Sequence, residues 1–325
     1  MEQSKKLKLF ICYSHENAYI AVFITHHSKN VNILEEIELN ALCLFDKYKP
    51  ATLTKDEVKF FDEQADIIVK AALPPANVTP EKGRTERLGI QDDLEQSQKD
   101  LEQKEDSDEE DSSGIELRRA IRTVEVMGCI IKNRAGSLEK TKLEKIFVEA
   151  MNVHLRVLSS FFEIIKSEDA QKVVIDFISE ELRKIIEESE EEKREPSKEK
   201  MTKSARIIFW NLNFFVVCGF LYKILHSLGS DKLTEIVKKV CDEVSTPASF
   251  LVKHGILMWY NKNLQVSELE ERINKKEFSE IAKRAIKLMV ANHCSLHRIN
   301  YKDRQRIENK LGIPAKKLLT SHKEP

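Results

Sequence analysis

By type and spacing, the residues of this sequence best suited to chemistry are His293, Cys294 and His297. Histidines at i and i+4 share a helix face, and imidazole nitrogens with a thiolate are ordinary zinc ligands. No third and fourth ligand stands nearby, and a histidine near a helix end commonly packs or caps, so no metal site is expected there. His26-His27 closes an apolar run and reads as a satisfied or exposed pair, while His154 falls on an apolar stripe where a core histidine is the default. Glutamates are so abundant that no carboxylate pair can be singled out for acid/base work. The phosphate-cradling G-x-x-x-x-G-K-[ST] loop, G-x-G-x-x-G, the G-x-S-x-G elbow and the H-E-x-x-H zinc helix are all absent from the sequence. The expectation is a non-enzymatic chain with no catalytic residues and no cofactor.

Binding offers two further groups. Arg298, Arg304, Lys310 and Lys317, with Lys302, Arg306 and Lys316 among them, surround Ile307-Glu308-Asn309-Lys310-Leu311-Gly312-Ile313-Pro314. A helix, a Leu-Gly-Ile turn and a lysine-rich continuation have the look of half a helix-turn-helix. Too little chain follows Pro314 for a full recognition helix, and Gly312 is equally an ordinary helix C-cap. A nucleic-acid-binding regulator is therefore the alternative reading, behind a protein partner. Trp210, Trp259 and Tyr260 are the candidate partner contacts, because aromatics anchor interfaces, although core packing is their more common role.

The elements that position these residues follow from composition. The 325 residues include 9 Gly and 8 Pro, too few to punctuate a strand-rich fold, and 41% are hydrophobic, enough for sizeable cores. The fold class expected is all-α, a multi-helical bundle or an α-solenoid-like array, with room for one or two short strands at the N-terminus. The 53 Lys+Arg and 54 Asp+Glu nearly cancel, so no global field draws the chain to nucleic acid or anionic lipid. Six isolated cysteines without a C-x-x-C pair fit a reducing compartment, and the polar, basic start does not read as a secretion signal; the cytoplasm is expected. Ile207 to Leu225 is the most apolar stretch, but Asn211, Asn213 and Lys223 interrupt it, so it reads as a buried helix with no membrane partner.

Along the chain, residues 1–78 form an N-terminal helical segment. Leu9 to Tyr13 and Tyr19 to Ile24 are strands or buried helical turns, and periodicity does not decide between them. Ile33, Ile37, Leu42 and Phe45, then Val58, Phe61, Ile68 and Ala72, recur at helical intervals, with Thr54 and Glu57 as a capping box. Residues 79–114 form an acidic linker expected to be disordered: Asp92 to Asp111 carries eleven acidic residues against two lysines. Residues 115–325 form a helical domain with a charged loop near 187–203. Its clearest stripe is Leu143, Phe147, Met151, His154, Leu155, Leu158, Phe162 and Ile165. Thr141 with Glu144 and Ser267 with Glu270 are further candidate capping boxes, and Thr246-Pro247 is a helix start.

From about Tyr19 onward the chain resembles the helical region downstream of the nucleotide-binding core in prokaryotic STAND-type NTPases. The resemblance is carried by YIAVFITHHSKNVNILEEIE, PATLTKDEVKFFDEQADIIVKAALPP, ELRRAIRTVEVMGCIIKNRAGSLEK, the Leu228-Gly229-Ser230-Asp231-Lys232-Leu233 turn and NYKDRQRIENKLGI. These are helical landmarks, and they cover most of the chain. Lys8 to Glu16 is similar to the first strand of a TIR domain, with no glutamate matching that family's NAD-cleaving residue. The resemblance implies a helical sensor or relay in prokaryotic defence signalling, without ATP binding, whose protein partner is an NTPase or a phage protein. A remnant TIR-type NAD hydrolase is the other alternative.

Overall fold

The computed structural model describes Phe23 and residues 31–73, 112–191 and 197–313. The apolar runs at 9–13 and 19–24 apart from Phe23, the TIR-like start, His26-His27, most of the acidic linker and Lys317 lie outside the described residues. Among the described residues the chain is all-α, with eleven α-helices and no strand; the one β-type pairing is an isolated bridge between Thr54 and Phe278.

The helices are α1 (Val31–Leu42), α2 (Phe60–Ala72), α3 (Ser112–Asn133), α4 (Lys140–Ile165), α5 (Glu168–Glu191), α6 (Lys198–Leu228), α7 (Thr234–Val244), α8 (Pro247–Tyr260), α9 (Val266–Arg272), α10 (Glu280–Leu296) and α11 (Tyr301–Arg306). α11 continues into a π-turn, Ile307–Leu311, that Gly312 ends in the left-handed conformation, the C-cap role its type suits. Helix starts are set locally. The hydroxyls of Ser167, Ser197 and Ser279 accept the backbone N–H three residues on, as does the Asn300 side-chain oxygen. Thr246 and Ser249 cap α8 reciprocally, with Pro247 in its first turn.

The three capping boxes expected at Thr54, Thr141 and Ser267 do not form. α4 begins at Lys140 without a side-chain cap. Ser267 lies inside α9, and together with Glu270 it receives Arg306 from the α11 end. Thr54 does accept the Glu57 amide, but the Glu57 carboxylate turns to the N–H groups of Thr52 and Leu53, three residues or more before α2 begins. In each failure a tertiary or loop partner captured the group that a local box would have used.

The described residues divide into two compact units. One comprises 31–63, 118–166 and 211–313, so the segment holding α1 packs with the later helices and the units do not follow the division at 79–114. In this unit α1 packs on α4, α4 on α7, α7 on α8 and α8 on α10. All eight residues of the α4 stripe are buried, and Phe61, Phe147, Phe250 and Phe278 are among its largest fully buried side chains, each contributing about 1.5–3 kcal/mol by leaving water. The strap 51–55 stitches three helices together: the Ala51 amide donates to Leu155 O, the Ala248 amide to Thr52 O, and the Ser279 hydroxyl to Leu53 O. Leu53 is fully buried at positive φ, a conformation unfavourable for leucine that the Glu57 carboxylate helps to hold. Arg156 closes the end of α1 by donating to the carbonyls of Ala41 and Leu44 while paired with Glu149.

The other unit comprises 64–73, 112–117, 167–191 and 197–210. Its buried apolar residues include Ala65, Ile68, Val69 and Ala72 of α2, Ile178 and Leu182 of α5, and Met201, Ala205 and Phe209 of α6, and the Ser179 hydroxyl donates to Ala72 O. α5 runs through Glu191 and α6 starts at Lys198, so most of the charged stretch expected as a loop near 187–203 is helical. Its i, i+3 and i, i+4 pairs of Arg183 with Glu180 and Glu187 are the local support that a loop reading overlooks.

Candidate functional site

Two places in the larger unit concentrate side chains that could carry function. The first is inside it. Lys253, in the middle of α8, has only 5% of its side chain exposed and donates to Asp242 of α7 and Glu268 of α9, each at 2.7 Å. Burial opposes the ammonium charge, but the two carboxylates outweigh it and hold the Lys253 pKa above its usual value. The neighbouring His254 ring and Lys253 hold the Glu268 carboxyl down to about 2. His254 is wholly buried, with Nε2 3.6 Å from the Glu268 carboxylate, and burial pushes its own pKa down. A general acid or base works best with a pKa near the working pH. Here lysine and carboxylate are driven away from it, so the arrangement is an ion-paired clamp across α7, α8 and α9. Sequence reasoning passed over it, although two titratable residues inside an otherwise apolar helix are the signal that would have found it.

The histidines singled out by spacing are positioned otherwise. His293 is buried with Nδ1 3.2 Å from Met258 O, and its ring centroid is 4.6 Å from that of His297. Among the described residues no three His, Cys, Asp or Glu side chains are grouped to hold a metal ion. Cys294 is buried and its thiol is pushed up to about 11, as Cys218 is, while Cys241 reaches about 12; burial is the leading cause in each, and none is poised as a thiolate. His154 is buried with neither ring nitrogen hydrogen-bonded, and burial together with the Lys223 charge lowers its pKa to about 4.

The described basic candidates differ in exposure. Arg298 and Lys310 are exposed, but Arg304 is half-buried with a side-chain nitrogen shut off from solvent, and Arg306 is committed to Glu270. Of the aromatic candidates, Trp210 is half-buried and edge-on to Phe209. Tyr260 is also half-buried, its ring pressed so closely on Gly229 that a Cβ there would lie 2.0 Å from it. Trp259 alone of the three is exposed.

That exposure belongs to the second place, the surface built on α6. The expectation of a buried helix over 207–225 is corrected here. One stripe, Phe209, Asn213, Val217, Leu221, Ile224 and Leu228, faces inward, and only 33% of the most apolar stretch is buried. α6 is long and apolar enough to cross a membrane by length and composition. The reason for the miss is physical: a helix apolar all round is ordinarily enclosed on all sides, and here neighbouring helices cover only one. Phe215 is left 68% exposed and Tyr222 49%. Gly219 lies between them with nothing within 4 Å of where a Cβ would stand, so the surface dips there. Trp259, at the end of α8, extends the patch with its ring centroid 5.7 Å from that of Tyr222. On α10, Arg284 donates to the Asn211 side chain at 2.8 Å and lies 4.5 Å above the Phe214 ring, and Leu288, one turn on, is 53% exposed.

No protein-family model, curated protein or solved structure matches this chain.

Proposed function

We propose that this chain is a non-catalytic helical docking module, and that the exposed face of α6 with Trp259 and Leu288 is where it takes a protein partner. The observation that carries the reading is the pair of large aromatic side chains, Phe215 and Tyr222, left uncovered on a helix whose composition suits full burial. An apolar patch of this kind on a charged surface is a usual mark of an interaction site, and aromatic side chains are its usual anchors. The setting we propose is a relay or sensor in prokaryotic defence signalling in the cytoplasm, on the resemblance to the helical region of STAND-type NTPases; that would make the partner an NTPase or a phage protein.

Replacing Tyr222 with a photo-crosslinking amino acid in the full chain tests this in host cells, with Asp169, which is almost fully exposed, as the control position. A discrete protein adduct at Tyr222 and none at Asp169 is the expected result. Equal labelling at both positions, or no adduct at Tyr222 with and without infection, would overturn the docking reading. Saturable ATP binding by the purified chain would overturn its non-catalytic part.

A further inference from the structure

Resting on that reading, we infer that the partner presents an acidic amphipathic helix to this face. Between Met201 and Leu228, between Pro247 and Lys262, and between Ile281 and Arg298, the sequence holds no aspartate or glutamate, although acidic residues number 54 in the chain. Apart from Glu199 and Glu280 in their first turns, the three helices that build the patch carry no anion of their own. On other helices some cations are matched within a turn, as Lys238 is with Glu235 and Lys184 with Glu181. Arg284, at the edge of the patch, has no carboxylate partner among the described residues.

The Arg284 side chain is fixed by Asn211 and by the Phe214 ring, which leaves further guanidinium N–H groups for an incoming carboxylate. A carboxylate held two-fold by a preset guanidinium gives geometric specificity as well as energy. Beside it lie the apolar elements that a helix would need: Phe215 and Tyr222 as ridges, the dip at Gly219 between them, and Trp259 and Leu288 at the sides. A helix with apolar residues at i, i+4 and i+7 can put one side chain in that dip and a carboxylate against Arg284. An anionic membrane surface would share part of this chemistry, but a bilayer does not use the oriented guanidinium or the single-residue dip.

The test titrates the full chain with a fluorescein-labelled helical peptide of about 18 residues, long enough to hold helix on binding, carrying leucine at i, i+4, i+7 and i+11 and glutamate beside them. Fluorescence anisotropy is read for this peptide and for its lysine-for-glutamate counterpart, and co-sedimentation for phosphatidylcholine vesicles with and without phosphatidylserine. We expect saturable binding of the acidic peptide only, weakened at least about tenfold by Arg284→Gln and by Gly219→Glu. Gly219→Glu places its side chain in open space, and unchanged circular dichroism and melting temperature verify that the fold is intact. Equal binding of the basic peptide, no loss in the two variants, or capture by phosphatidylserine vesicles in place of the peptide would each overturn the inference. Specific crosslinking at Tyr222 alongside any of those outcomes would sink the acidic-helix inference alone and leave the docking reading standing.

Discussion

At the scale of single residues, the side chains that stand out are buried ones whose polar atoms have nowhere to go. His154 is a buried member of the α4 stripe with both nitrogens unpaired, and burial first, with the Lys223 charge, lowers its pKa from the ordinary 6.5 to about 4. The folded chain then holds fewer protons than the unfolded one between those two values, so stability is full above the unfolded pKa and falls as pH drops through the window. The shift corresponds to on the order of 3 kcal/mol at the bottom of it. Removing the ring should flatten that dependence. His154→Leu, close in volume and without polar atoms to desolvate, is expected to be neutral or stabilising at pH 7.5 and to lose less melting temperature than the wild type between pH 7 and pH 5. A variant that melts with the same pH slope as the wild type would show that His154 is not the titrating group. Glu268, held at about 2, acts only at lower pH, so the two groups separate on the pH axis.

At the scale of elements, two glycines in long helices make opposite demands. A Cβ on Gly128 of α3 would lie 2.0 Å from Ser227 O of α6, which means that the two helix backbones touch there. Gly219 faces open space. In an unconstrained helix interior, alanine is favoured over glycine by about 1 kcal/mol. Gly219→Ala should therefore stabilise the chain by up to about 1 kcal/mol. Gly128→Ala should destabilise it by about 1–3 kcal/mol or more, because the helices must separate to admit a methyl group. Denaturant unfolding of the two variants measures both, and equal signs would refute the close crossing. No sequence pattern distinguishes these glycines; only the approach of α6 does.

At the scale of the whole molecule, balanced charge and paired surfaces suggest that ionic strength matters little to the fold. Most of the ion pairs of α5 lie on its surface, and exposed pairs each contribute about 0–1 kcal/mol. The melting temperature of the full chain is expected to move by no more than about 5 °C between 0.05 and 0.5 M NaCl, a range over which the screening length falls several-fold. A larger drop would give the Lys253 clamp and the surface pairs a greater share of stability than burial implies. Binding at the α6 face should behave differently and weaken with salt, since an unmatched cation is what it offers.

Much was legible from residue order alone. The scarcity of Gly and Pro and the 3.6-residue recurrence of apolar side chains determined the all-α class, and the α4 stripe is buried throughout as its spacing requires, because a helix displays residues three and four apart on one side. The Thr246-Pro247 start and the Gly312 stop were equally local, since a cap is decided by a few neighbouring atoms. The clamp at Lys253 and the surface at α6 were not. Asp242, Lys253 and Glu268 sit on three successive helices, 11 and 15 residues apart, and meet only because α7, α8 and α9 fold back on one another. Leu42, Phe215 and Trp259 are as apolar as any core residue, yet they remain exposed, because whether an apolar side chain is covered depends on which helices pack beside it. Periodicity states which side of a helix is apolar; only the tertiary structure decides how many sides find a neighbour.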